Sequence, residues 1–105
     1  MKTADLEGTQ LDYWVAVAFF GDNIEDSMKC PGSTKKWPEY KPSVNWEEGG
    51  PIIEREKISV IINSEDEWAA QMDDYNNGDF YAGSTPLIAA MRCLVASKFG
   101  DEVGE

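Results

Sequence analysis

Gly83-Ser84-Thr85-Pro86 stands directly before Leu87 to Phe99, an unbroken run of helix formers that stops at Gly100. The free N–H groups and positive dipole end of such a helix start favour an anion, and Ser84 and Thr85 add hydroxyls. Gly49 and Gly50 would let backbone come close to a ligand. Trp37, Tyr40, Trp46 and Tyr81 offer ring faces on which a base can stack, and Arg92 or Lys36 a contact to phosphate. Together these are the parts of a pocket for a small nucleotide-like anion. Each part also has an ordinary use: Thr-Pro starts helices, glycines make turns, aromatics fill cores. No lysine follows the glycines as a P-loop requires.

Other chemistries are narrowed by what is missing. The chain has no histidine and two cysteines, Cys30 and Cys93, without CxxC spacing. That removes the usual zinc sites and the histidine-dependent triads, and both cysteines are expected as free thiols in a reducing cytosol. "DDYNNGD" invites a calcium reading, but Gly78 at position six of an EF-hand loop puts Tyr75 at three and Ser84 at twelve, where neither can ligate properly. No metal and no cofactor is expected. With 20 acidic residues, paired carboxylates arise by chance, so a carboxylate-dependent hydrolase is the weakest of the readings.

Net charge is −11, from 20 acidic against 9 basic residues. Such a field repels nucleic acid and anionic membrane and favours basic partners. Between residues 29 and 41 the balance reverses, with Lys29, Lys35, Lys36 and Lys41 against Glu39. The segment from Glu65 to Asp79 carries six carboxylates and no base. Spaced like phosphates, they would mimic DNA toward a basic protein; the plainer reading is a solvated surface.

The elements that must hold these residues are those of one small domain, 1–105, of the α+β class. Leu11, Trp14, Val15 and Ala18 make the stripe of an amphipathic helix, with Thr9 as N-cap, Asp12 as a weak capping partner and Gly21 as the stop. Tyr13, Val17 and Phe20 lie off that stripe, so the helix is apolar over more than one face. Residues 22–51 are turn-rich and read as a long irregular loop. Ile58, Val60 and Ile62 mark a β-branched strand, and Ile52-Ile53 can begin an earlier one, with "EREK" as the turn between. "NSEDEWAAQMDD" carries both signals: Ser64 with Glu67 makes a capping box that argues helix, while the alternation of Trp68, Ala70 and Met72 and the Asn-Gly after it favour strand, hairpin, short strand. The last helix has Thr85 as N-cap, Pro86 at its first position and Gly100 as its stop. Leu87, Ile88, Met91, Leu94 and Val95 form its buried stripe. Its small residues Ala89, Ala90, Cys93, Ala96 and Ser97 call for a closely packed neighbour, with a homodimer as one option. Arg92 among them is expected to pair with Glu54 or Glu56, or to reach a ligand or a second subunit. Residues 101–105 read as a frayed acidic tail. The expected architecture is a small antiparallel sheet of two to four strands packed by an N-terminal and a C-terminal helix.

At "LEGTQLDYWVAVA", "WEEGGPIIEREKI" and "GSTPLIAAMRCLVASKFGDEV" the chain resembles the NinX-like family of small phage and prophage proteins. The resemblance implies a phage-encoded accessory protein acting in the bacterial cytoplasm. It brings no activity and no catalytic residues. The N-terminus "MKTADLEG" lacks the apolar stretch of a secretion signal, and no apolar run approaches the ~20 residues of a membrane span, so a cytoplasmic protein is expected.

Two functions follow. The first is a non-enzymatic protein that sequesters a nucleotide-like ligand in host takeover or anti-defence, using Trp37, Tyr40, Trp46, Gly49, Gly50, Tyr81, Gly83, Ser84, Thr85 and Arg92. The second is an acidic inhibitor of a basic host protein. Changes at Thr85 and Arg92 would disable the first; charge reversal at Glu65, Asp66, Asp73 and Asp74 would disable the second.

Overall fold

The last helix is the axis on which everything else is built. A computed structural model of the chain describes residues 2–20, 39–72, 80–100 and 102–103. In chain order these form a 3-10 turn (Thr3–Asp5) and helices and strands α1 (Gly8–Phe20), α2 (Trp46–Glu56), β1 (Ile58–Ser64), β2 (Glu67–Met72), β3 (Tyr81–Gly83) and α3 (Pro86–Phe99). The three strands make one antiparallel sheet in the order β1-β2-β3. The sheet packs on α3, and α1 and α2 also pack on that helix. The fold is α+β, as the sequence pattern predicts.

Helix α3 begins where expected. The Thr85 hydroxyl accepts the Ile88 N–H at 3.1 Å, Pro86 occupies the first turn, and Gly100 (φ +87°) closes the helix, its N–H donating to Ala96 O. Met91, Leu94 and Val95 are fully buried, but so are Ala89, Ala90, Cys93 and Ala96 on the other side. The small face therefore meets its neighbour within the single chain. Burial also pushes the Cys93 thiol up to about 11, although a backbone hydrogen bond at Met72 opposes the shift. That buried thiol is unreactive near neutral pH. Cys30 lies outside the described residues.

Two expectations fail along 22–51 and beyond. Residues 46–51 are not loop: they open α2, which runs on through Ile52 and Ile53, so neither an early strand nor an "EREK" turn exists. Asn45 caps the helix, its side-chain oxygen accepting the Glu47 N–H at 3.0 Å, and Glu47 and Glu48 complement the dipole in the first turn. Pro51 is tolerated inside, and Lys57 in the left-handed region (φ +56°) ends it. Helix α2 buries Glu48, Gly49 and Ile52 and leaves Trp46 and Glu47 outside.

Helix α1 starts at Gly8, so Thr9 lies inside it rather than at its cap. Leu11, Val15 and Ala16 are buried together with Asp12, while Trp14 and Ala18 are half-buried. The buried stripe is thus rotated by one residue from the expected one. Trp14 makes edge contacts with Tyr13 and with Phe99, ring centres 5.4 Å apart in each pair. The expected Gly21 stop lies outside the described residues.

The strand assignment holds for Glu67–Met72, while the expected Asn-Gly hairpin turn lies outside the described residues. Ile58 pairs with Met72, Val60 with Ala70 and Ile62 with Trp68, with a register shift between Ile62 and Ser64. Trp68 and Ala70 then pair with Gly83 and Tyr81. The first and last described segments meet: Thr3 Oγ1 donates to Gly100 O at 2.8 Å, and the backbones of Lys2 and Glu102 form an isolated antiparallel β-bridge. Part of the expected frayed tail is therefore engaged, with Val103 buried.

Arg92 fastens three segments. Its Nε donates to Leu6 O and its Nη1 to Ala82 O, both at 2.7 Å, and Nη2 lies 4.0 Å from the exposed Glu7 carboxylate. The expected pairing with Glu54 or Glu56 does not form; Glu56 faces Arg55 and Lys98 instead. Desolvation lowers the Arg92 pKa, while Glu7 and Asp5 hold it up. Arg92→Ala strands two carbonyls in partly buried surroundings and is expected to cost on the order of 2 kcal/mol or more in urea denaturation. Arg92→Lys should recover only part of that, because an ammonium lacks the planar fork that reaches both oxygens.

Candidate functional site

Of the residues expected to line a ligand pocket, Gly49 and Gly83 are placed by core packing. A Cβ built on Gly49 would run into Pro42 O and lie 2.6 Å from Leu87 Cδ2. One on Gly83 would lie 2.6 Å from Ala89 N and 2.8 Å from Ile88 Cγ2. These glycines let α2 and β3 press against the first turn of α3, and no ligand could occupy the same space. Gly50, half-buried, sits in α2 with Trp46 Cε3 as its nearest neighbour. Tyr40 is fully buried and Tyr81 8% exposed, so neither offers a ring face to a base. Ser84 and Thr85 are exposed, but the Thr85 hydroxyl is occupied by its cap. Arg92 is held by Leu6 and Ala82. Trp37 and Lys36 lie outside the described residues. Trp46 alone among the described aromatic candidates stands open, 57% exposed.

Around Trp46 the chain builds a depression of about 520 Å³, lined by Glu39, Lys41, Val44, Asn45, Trp46 and Glu48. Its rim is a short loop held from two sides. Val44 N and Asn45 N both donate to Lys41 O, at 3.1 and 2.9 Å, making a tight turn. Asp12 of α1 accepts the Ser43 N–H at 2.9 Å, and Glu48 Oε1 of α2 accepts the Lys41 N–H at 2.9 Å. Pro42 and Ser43 are buried beneath. With its middle pinned down, the loop turns Val44 and the adjoining Trp46 outward. Two carboxylates buried in the interior thus fix two apolar side chains on the surface. Asn45 and the first-turn acids already satisfy the start of α2, and the charged lining is Glu39 and Glu48 against Lys41. An anion finds little to attract it here; a cationic group finds an indole face and the exposed Glu39 carboxylate.

Sequence reasoning named Trp46 but not its setting. Asn45 followed by Glu48 is the N-cap spacing that marks a helix start, and it was the available signal. The exposed Val44, Ile61, Ile62, Phe80 and Phe99 carried no signal as single residues. Of the acidic segment, Glu65 and Asp66 are exposed at the β1–β2 turn, and Glu67 accepts from Asn63 Nδ2. Asp73, Asp74 and Asp79 lie outside the described residues. Among the described residues no group of acidic or cysteine side chains is placed to hold a metal ion, and no helix is long and apolar enough to cross a membrane.

Two outcomes test the packing and pinning roles. Gly83→Ala is expected to lower stability by about 1–3 kcal/mol, as overpacking does, and to drop the melting temperature by at least ~4 °C. For Asp12, burial raises the carboxyl above its usual value, with the Ser43 N–H pulling it down and Glu48 pushing it up. The native state then binds this proton more tightly than the unfolded chain, so the Asp12 contribution to stability falls as pH rises from about 4 through the raised value. Asp12→Asn keeps an acceptor for Ser43 and loses the charge. Thermal melts should find it more stable than the parent at pH 7, with the gain shrinking toward pH 4. Asp12→Ala leaves the Ser43 N–H unpaired and should cost about 1–3 kcal/mol.

No curated protein matches this chain. The family model of bacteriophage P22 NinX matches residues 2–98, which include α1, α2 and all three strands, so the chain belongs to the P22 NinX family of phage proteins.

Proposed function

We propose that the chain is a non-enzymatic phage accessory protein that binds a basic protein of the bacterial host, as part of host takeover or of resistance to host defence. The observation that carries this reading is the exposed Trp46 beside Val44 on a loop pinned by Asp12 and Glu48. Exposed tryptophans at the centre of a patch are typical anchors of protein interfaces. A lysine or arginine of the partner can stack on the indole, with Glu39 and Glu47 exposed close by. The net charge of −11 would speed encounter with a basic surface.

Capture of a small ligand keeps one support. A volume of about 520 Å³ lies within the range of small-molecule sites. The lining favours a neutral or cationic aromatic compound over the nucleotide-like anion expected from sequence, because the helix starts are already capped and the local charge is acidic.

The two readings separate with defined probes. A short arginine-rich peptide, titrated by fluorescence anisotropy, should bind the parent protein at least ~10-fold more tightly than Trp46→Ala, a loss of about 1.4 kcal/mol. Reversal of Glu65 and Asp66 at the far turn should leave most of that preference in place, and affinity should fall as salt rises. Equal binding by parent and Trp46→Ala would reduce the attraction to bulk charge and remove the basis of the proposal. A melting shift with nucleotides, absent with the peptide, would favour the small-ligand reading instead.

A further inference from the structure

Strand β1 is the outer strand of the sheet, and among the described residues only β2 pairs with it. Its seven residues, Ile58-Ser-Val-Ile-Ile-Asn-Ser64, contain no charge, no proline and no glycine, and four of them are β-branched aliphatics. Ser59 and all residues from Ile61 to Ser64 are exposed, with Ile61 at 50% and Ile62 at 68%. A free edge of this length and composition is a template for another strand, and proteins that stay monomeric blunt such edges with charges, prolines or short strands. Neither a charge nor a proline lies within β1, and its one irregularity is the register shift between Ile62 and Ser64.

We propose that β1 pairs with β1 of a second copy of this chain, antiparallel about a two-fold axis at Ile61, to make one continuous six-stranded sheet. Three features of the sequence select a second copy over an unrelated peptide. First, a chain of net charge −11 repels itself almost everywhere, and the neutral run 58–64 is where two copies can meet without opposing carboxylates. Second, pairing centred on Ile61 sets Val60 opposite Ile62 of the other copy, twice, and Ile61 opposite itself. The most exposed isoleucine thereby gains a β-branched cross-strand partner. Third, the same two-fold brings Lys57, which precedes β1, toward Glu65 of the other copy, which follows it, again twice. Both residues are exposed at the two ends of β1, so the only charges flanking the strand directly are complementary under the two-fold. A contact in which the same patch serves both subunits closes at the dimer. It does not use Trp46 and stands or falls independently of the binding role proposed for it.

The full-length chain should sediment as a dimer in analytical ultracentrifugation at tens of micromolar protein, in roughly 0.15 M salt. Ile61→Lys places two like charges at the axis and should give monomers that keep the parent far-UV circular dichroism. Because a change within β1 can also weaken the fold, the turn residues provide the second test. Lys57→Glu should raise the dimer dissociation constant at least ~10-fold, and Lys57→Glu combined with Glu65→Lys should restore it to within ~3-fold of the parent. Restoration by the swap would establish the register. A parent protein that is monomeric at these concentrations would overturn the proposal. So would a dimer indifferent to Ile61→Lys, or one weakened by Lys57→Glu and not rescued by the swap.

Discussion

The whole arrangement depends on how closely other elements approach α3. Seven of its residues between Ala89 and Ala96 are fully buried, and four of these are alanine or cysteine. Small side chains bring backbone near backbone, which is why β3 needs Gly83 where it passes Ala89 and α2 needs Gly49 where it passes Leu87 and Pro42. Interiors packed at this density tolerate neither an added methyl nor a lost one without a cost. The same closeness explains Arg92. A long cation near the middle of a buried helix survives because Leu6 O and Ala82 O, at the margin of that packing, accept from its guanidinium.

Legibility followed from how local each signal was. Helix α3 was readable because its cap, its proline and its closing glycine are all in the sequence at fixed spacing. β2 was readable because Trp68, Ala70 and Met72 alternate and one face meets the core. Helix α2 was hidden by Gly49-Gly50-Pro51, which read as a turn on local preference alone. Tertiary burial outweighs that preference: Gly49 is where α2 lies against Pro42 and Leu87, and Ile52 is wholly inside. The cap at Asn45 and the acids after it give the start, and they were the part of the pattern that spoke for helix.

The site was less legible than the fold, for a different reason. A tyrosine in a polar, lysine-rich stretch looks available, yet Tyr40 is fully buried while Trp46, six residues on, is open. Nothing in either side chain decides that. The decision lies in Asp12 and Glu48, which reach from α1 and α2 to the backbone of residues 41 and 43 and so set which way the loop faces. Asp12 read as a weak capping partner of its own helix, and Glu48 as part of an irregular loop. The glycines were misread in the opposite direction, as room for a ligand, when they mark the absence of room.

Charge then divides the surface into places that can and cannot serve a given partner. Buried acids such as Asp12 are held there for geometry and pay for it in desolvation. Exposed acids set the long-range field, which repels a second copy and attracts a basic protein. Against that field, an uncharged strand edge is a different kind of surface from the Trp46 depression with its flanking carboxylates. One suits a partner carrying the same charge as the chain, and the other suits a partner carrying the opposite charge. Because β1 and the start of α2 belong to elements anchored separately on α3, occupation of one need not disturb the other. A dimer through β1 would present two Trp46 sites, and paired sites gain in avidity when a partner can span both.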